Sequence, residues 1–284
     1  ADFDTYNADV KLFEIFRGGQ CIARFYFDLY AREGKRGGAW MADCRIRRRK
    51  ADGSLQLPAA FLTCNFMAPT DTQPSLLSHS DVTTLFHEFG HGLHHMLTQI
   101  DVAGVSGING VEWDAVELPS QFMENWCWEQ QAIPLISKHY QSGEPLPDAL
   151  LEKMLAAKNF QSGLQMLRQI EFALFDFLLH MQQPPKNAQA VQQLLDEVRA
   201  EITVVPVAPF NRFQHGFTHI FAGGYAGGYY SYKWAEVLSA DAFSAFEESG
   251  IFDRATGEKF LATILSQGGA HDAMAHFVAF RGRE

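Results

Sequence analysis

A chain of 284 residues with 47% hydrophobic and 20% charged side chains has ordinary globular composition, long enough to bury a core and free of a disorder-like charge excess. Its formal net charge of −10 argues against a nucleic-acid partner, which would need a basic surface, and no apolar run approaches the roughly 20 residues that cross a bilayer. Cys21, Cys44, Cys64 and Cys127 are too scattered for a disulfide framework or a thiolate metal site, so they read as buried free thiols in a reducing compartment, and a cytoplasmic location is expected. The amino end, ADFDTYNADV, has neither the basic start nor the apolar stretch of a signal peptide. With no initiating Met, it opens as if in the middle of a fold, so a fragment or processed piece is expected.

Residues from about 21 to 66 are strand-like. Residues 23–29 alternate in polarity, and residues 59–66 follow a turn at Asp52-Gly53, which predicts a small antiparallel sheet. The basic cluster Arg45, Arg47, Arg48, Arg49 and Lys50 reads as a solvated strand end or turn. Beyond Pro74 the period becomes helical, with Val82, Phe86, Phe89, Leu93 and Met96 forming one apolar stripe. Ser80 suits the N-cap and Asp81 the positive end of the helix dipole. Further helices are predicted at about 115–131, 147–182, 187–202, 226–248 and 256–267, with Gly-rich loops at 104–110 and 223–228. Without a repeat or a long linker, residues 1–284 read as a single domain, mainly α with a small antiparallel β-sheet at about 21–66. The helices at about 80–131 carry the motif described next, and the helical remainder occupies 132–284.

The stripe-bearing helix contains His87-Glu88-Phe89-Gly90-His91, an H-E-x-x-H pattern. Residues four apart lie on one helix face, so both imidazoles can address one ion at about 2.0–2.1 Å. Glu88, displaced by about 100° from His87, lies beside the ion, where its carboxylate can accept a proton from metal-bound water. Catalytic zinc usually takes three protein ligands, and Glu112, Asp114, Glu117 and Glu124 are candidates for the third. Glu117, Gln121 and Glu124 share a face at i, i+4 and i+7, which suits one ligand with two supporting partners. A solvated carboxylate stripe is the bland alternative. Spacing does not require His94 or His95 as ligands, and they read as packing or exposed residues.

These runs, with Val116-Glu117-Leu118-Pro119-Ser120-Gln121, Glu124-Asn125-Trp126, His219-Ile220-Phe221-Ala222-Gly223-Gly224-Tyr225 and Tyr229-Tyr230-Ser231-Tyr232, closely resemble the thimet oligopeptidase family of zinc peptidases. Upstream, Asp28-Leu29-Tyr30-Ala31-Arg32-Glu33 and Lys35-Arg36-Gly37-Gly38-Ala39-Trp40-Met41 extend the likeness over nearly the whole chain. The resemblance implies a zincin-like catalytic domain holding one Zn2+ through His87, His91 and Glu117. It also implies that His219, Tyr225 and Tyr232 face the substrate. A phenol there can donate to the oxyanion, with Tyr232 the first choice and Tyr225 and His219 binding the substrate backbone or assisting. The bland alternative is that the stretch from Tyr225 to Trp234 packs a helix into the core. Tyr229 and Tyr230 themselves read as packing. The Gly-rich loop could adapt to varied side chains. The substrates implied are short peptides cut at internal bonds, with dipeptide release from a free carboxyl end as the alternative chemistry. Members of the family are longer, so the amino-terminal half that walls a deep channel is expected to be absent, and that half is itself a candidate partner. A catalytically weak peptide-binding fragment is the rival from another class.

Overall fold

The computed structural model describes residues 4–181 and 183–284. The chain divides into two compact units, one running up to Pro147 and including Glu236–Glu284, the other Asp148–Ala235. The strands β1 (Lys11–Arg17), β2 (Gln20–Tyr30), β3 (Trp40–Arg45), β4 (Arg48–Arg49), β5 (Leu55–Gln56) and β6 (Ala59–Phe66) come first. They are followed in the first unit by α1 (His79–Met96), α2 (Trp113–Val116), α3 (Leu118–Glu124) and α4 (Ile133–Ile136). The second unit holds α5 (Asp148–Ala157), α6 (Ser162–Met181), α7 (Ala188–Ile202) and α8 (Thr218–Ala222). Helix α9 (Ser231–Ser249) begins there and continues into the first unit, where α10 (Arg254–Phe260) and α11 (Ala273–Arg281) follow.

In the first unit the main sheet has the order β1-β2-β6-β3. The sheet expected to be antiparallel is mixed, because β6 is parallel to β2 and antiparallel to β3. Burial explains the order. Ala60, Leu62 and Cys64 of β6 are 0% exposed, and Thr63, on the opposite side of the pleat, is buried too, which is the pattern of a central strand covered on both faces. The β4–β5 hairpin, turning at Asp52-Gly53, brings the chain back so that β6 enters between β2 and β3. The basic cluster there is only partly solvated, since Arg47 and Arg49 pair with Asp101 at 2.9 and 2.6 Å.

The end of β2 is tied down by a buried carboxylate. Asp28, 4% exposed, accepts from Arg32 at 2.5 and 2.8 Å, from Lys35 at 2.9 Å and from Tyr6 at 3.0 Å. Burial opposes its ionisation, but these hydrogen bonds outweigh burial and hold Asp28 at about 2, below its ordinary 3.8. A depressed carboxylate pKa adds stability that is complete above the unfolded value and disappears as the pH falls through the folded one. At neutral pH the contribution is about 2 kcal/mol. Asp28→Asn is therefore expected to lower the urea midpoint at neutral pH and to flatten the stability profile across the acid range from the unfolded value down to about 2.

Helix α1 starts at Ser78 rather than Ser80. The Ser78 hydroxyl accepts from the Asp81 backbone N–H while Asp81 accepts from the Ser78 backbone N–H, a reciprocal cap. Phe89 packs on Phe25, with ring centroids 5.6 Å apart, and Gly92 lets the helix lie against Leu62 of β6. Its other side meets α3, whose Leu118 and Phe122 join Phe243, Phe246, Phe260, Ile264, Phe277 and Phe280 in one apolar core. The helix expected at 115–131 is broken between α2 and α3, because Pro119 has no N–H to continue α2, and beyond Glu124 it tightens into a 3-10 turn that ends at Trp128. The helix expected at 256–267 starts at an Asp253 cap and ends in a π turn at Leu261–Leu265. Helix α11 and strand β1 were not expected.

In the second unit α6 and α7 pack through Phe175, Leu179, Leu195 and Val198, closed by Phe217, Ile220 and Tyr229. The helix expected at 147–182 is two, parted at 158–161, where Gln161 takes a φ of 52°. No Gly or Pro marks that break. Among charged groups, Glu171 is buried and paired with both Arg168 and Arg199 at 2.8 Å.

Candidate metal centre

Helix α1 presents His87 and His91 one turn apart, with ring centroids 5.0 Å apart and nearly perpendicular. The facing carboxylate comes from the corner between α2 and α3. Glu117 is at once the C-cap of α2 and the N-cap of α3, and that corner turns its fully buried side chain onto both imidazoles. Glu117 Oε2 lies 3.2 Å from His87 Nε2 and 3.1 Å from His91 Nε2. Ser120 Oγ donates to the same oxygen at 2.8 Å.

These atoms fit a divalent cation. Ligands at about 2.0–2.1 Å in tetrahedral array stand about 3.4 Å apart, close to the separations observed, and the three donor atoms lie within 4.8 Å of one another. Among the described residues no other group of three His, Cys, Asp or Glu side chains converges in this way. Two nitrogens and one oxygen suit zinc-type chemistry and leave a coordination position open.

His87 Nδ1 lies 2.6 Å from Glu124 Oε1, a carboxylate partner that fixes the imidazole tautomer and leaves Nε2 as the donor to a cation. Burial opposes a charge on His87, but Glu117 and Glu124 outweigh it and raise its pKa well above the ordinary value. Burial likewise opposes ionisation of Glu117, yet His91 and His87 hold it well below the carboxylate range. Both shifts mark a place that favours positive charge beside Glu117. Glu124→Ala is expected to weaken metal affinity roughly 10–100-fold, measurable by chelator competition. Gln121 enters through its backbone, whose N–H bonds Glu117 O at 3.0 Å.

Glu88, next to His87 on α1, lies close enough to His87, His91 and Glu117 to feel their charges and also reaches β3. It is buried, its Oε2 has no hydrogen-bond partner, and the backbone N–H of Met41 supports the carboxylate. Burial raises its pKa, with His87 and His91 pulling the other way. A buried carboxylate with one uncommitted oxygen, its pKa raised by burial, is suited to accept a proton.

Gly90 sets the distance between α1 and α3. A Cβ on it would lie 2.3 Å from Pro119 O and 2.6 Å from Ser120 Cα, so only glycine allows this approach. His94 and His95 are both buried. Burial holds His94 down at about 3, and His95 Nε2 meets Arg45 O at 2.9 Å, so they pack rather than ligate.

Of the other expected site residues, all in the second unit, His219 lies in α8, Tyr225 in the Gly-rich loop and Tyr232 in the first turn of α9. Their side chains form one cluster. Tyr225 and Tyr232 stack at 5.1 Å, and His219 sits 6.0 and 5.9 Å from them. Tyr229 packs in the core as expected, whereas Tyr230 is 37% exposed and lies at the surface.

The sequence profile of peptidase family M3 matches residues 1–284. The chain belongs to this family. It is 60% identical to Oligopeptidase A of Escherichia coli (strain K12) over 284 residues, all of this chain but 42% of that protein. It is 37% identical to Dipeptidyl carboxypeptidase of the same organism, over 99% of this chain and 41% of that protein. The chain thus spans less than half the length of these M3 relatives. Among solved structures, PZ peptidase A with inhibitor 2 matches with a TM-score of 0.59 at 17% identity, over 91% of this chain and 40% of that one. The fold is therefore the mainly helical, zincin-like one of M3 peptidases.

Gly90, the Met41 N–H and the Ser120 hydroxyl on Glu117 escaped the sequence reading. Gly90 has a readable signal, a glycine inside an otherwise periodic helix. The support that Met41 gives Glu88 has none, because a backbone N–H carries no residue identity.

Proposed function

We propose that this chain is the catalytic portion of a zinc metalloendopeptidase of the oligopeptidase A type, one that hydrolyses internal bonds of short peptides. The observation that carries the reading is the convergence of His87, His91 and Glu117 beside a buried Glu88 with an uncommitted oxygen. His87, His91 and Glu117 would hold one Zn2+, and Glu124 would keep the His87 proton on Nδ1. When bound, the cation supplies Lewis-acid chemistry, polarising the scissile carbonyl and acidifying the attacking water. Glu88 accepts the proton of that water and delivers it to the leaving amine nitrogen. Tyr232 donates a hydrogen bond to the oxyanion, while Tyr225 and His219 bind the substrate backbone or assist. Four free cysteines, of which Cys64 and Cys127 are buried as expected while Cys21 and Cys44 are only partly buried, support a reducing, cytoplasmic setting, and among the described residues no helix is long and apolar enough to cross a membrane. The partners proposed are short peptides and the remainder of a longer enzyme.

The test is hydrolysis of a quenched fluorescent peptide carrying a C-terminal amide by the zinc-loaded chain, with product masses. Internal cleavage is expected. Dipeptide release that requires a free carboxyl end would instead favour the chemistry named by the 37% identical relative. Bound zinc without Glu88-dependent turnover would favour a peptide-binding fragment.

A further inference from the structure

The loop that carries the clustered tyrosines is held by a carboxylate from a different helix. Asp176 of α6 is 1% exposed. Its Oδ1 accepts the backbone N–H of Gly227 at 2.8 Å and its Oδ2 that of Tyr229 at 2.9 Å, groups 51 and 53 residues away. His180, one turn on, brings Nδ1 to 2.9 Å from Oδ1. A buried carboxylate is costly unless it is well bonded, and an apolar side chain would serve α6 equally well for packing. What the carboxylate adds is a hold on the loop.

Tyr229 passes that hold to the cluster. Its phenol donates to Gln169 of α6 at 3.1 Å, and its ring centroid lies 5.0 Å from that of Tyr232 and 5.6 Å from that of His219. The Tyr232 N–H closes onto Tyr229 O at 3.3 Å. Earlier in the loop the N–H groups of Gly223 and Tyr225 turn instead onto His219 O, at 3.2 and 3.0 Å. Gly227 itself takes a φ of 70°, a conformation that costs glycine little. The loop's second half is thus pinned to α6, while its first half is folded onto α8.

We propose that Asp176 is the positioning residue of this loop, fixing the backbone at Gly227 and Tyr229 and through Tyr229 the placement of Tyr232 and His219. The proposal rests on the reading of Tyr232 as a substrate-facing donor. Asp176 touches no substrate and acts only by removing freedom from the groups that do. Loop adaptability, where present, then belongs to residues 223–226.

The test uses Asp176→Asn, a near-isosteric change that sets an NH2 donor in place of one of the two accepting oxygens, so that one of the two N–H groups faces a donor. Amide hydrogen exchange at Gly227 and Tyr229 is expected to quicken by roughly tenfold, while amides in the middle of α7 keep their protection. In the zinc-loaded chain kcat for a quenched peptide is expected to fall roughly tenfold, with KM and zinc content near their starting values. The same substitution added to Tyr232→Phe is expected to cost little more, because residues acting through one group are not additive. Asp176→Glu, which keeps the charge but lengthens the arm, is the second variant if the amide misfolds, and the same loss of kcat is expected. Unchanged exchange at both amides would overturn the anchor, and losses that add to those of Tyr232→Phe would overturn the positioning role. Full activity of Tyr232→Phe would overturn the reading of Tyr232 and the kinetic half of this proposal, while exchange at the two amides still decides the anchor.

Discussion

Glu88→Gln is expected to keep one equivalent of bound zinc and to hydrolyse peptides about 10²–10⁴-fold more slowly. The amide has the shape of the carboxylate and can still accept from the Met41 N–H, but it cannot take a proton from water. The substitution also removes a buried charge. Burial raises the Glu88 pKa in the folded chain, so folding favours the protonated form and the ionised carboxylate weakens the fold at neutral pH. The metal-free variant should therefore melt at the same or a higher temperature than the metal-free parent, while the zinc-loaded variant loses turnover, a separation of stability from activity that a merely structural Glu88 would not give. Metal analysis, thermal melting and a quenched-peptide assay on one preparation decide it, and an unchanged rate would remove Glu88 from the chemistry.

Gly90→Ala is expected to cost about 1–3 kcal/mol of stability and to lower metal affinity with it. Helix propensity alone predicts the opposite, since Ala is better than Gly in a helix interior by about 1 kcal/mol. Packing decides the sign, because the new methyl would overlap backbone atoms of Pro119 and Ser120, which cannot rotate away as a side chain could. Relief requires α3 to retreat, and Glu117, two residues before Pro119, retreats with it. The measurements are the melting temperature and the zinc dissociation constant. A rise in both stability and affinity would show that the close approach of the two helices is not what holds the donors together.

The histidine pair was readable from the sequence because a period of four and a demanding chemistry coincide in one helix. Glu124 was readable for a related reason, lying seven residues from Glu117. The geometry that unites them was less accessible. Glu117 works from a helix corner created by Pro119, not from the regular face that its spacing to Gln121 and Glu124 suggested. The start of α1 was misplaced by two residues, although Ser78 followed by Asp81 at the third position carries the capping pattern. Insertion of β6 between β2 and β3 could not be read at all, since strand order depends on pairings between distant segments and leaves no local mark. The bonds of Asp176 to Gly227 and Tyr229 are hidden for the same reason.

The span from His87 to Glu124, only 37 residues, has a consequence for how the molecule is made. Closing so short a segment costs little chain entropy, and low sequence separation favours rapid formation. The apolar backing of Leu118 and Phe122 comes from residues beyond 240, with Trp126 reaching Ile251, 125 positions away. During synthesis all three candidate donors, His87, His91 and Glu117, are therefore made more than 120 residues before the chain that backs Leu118 and Phe122 is complete.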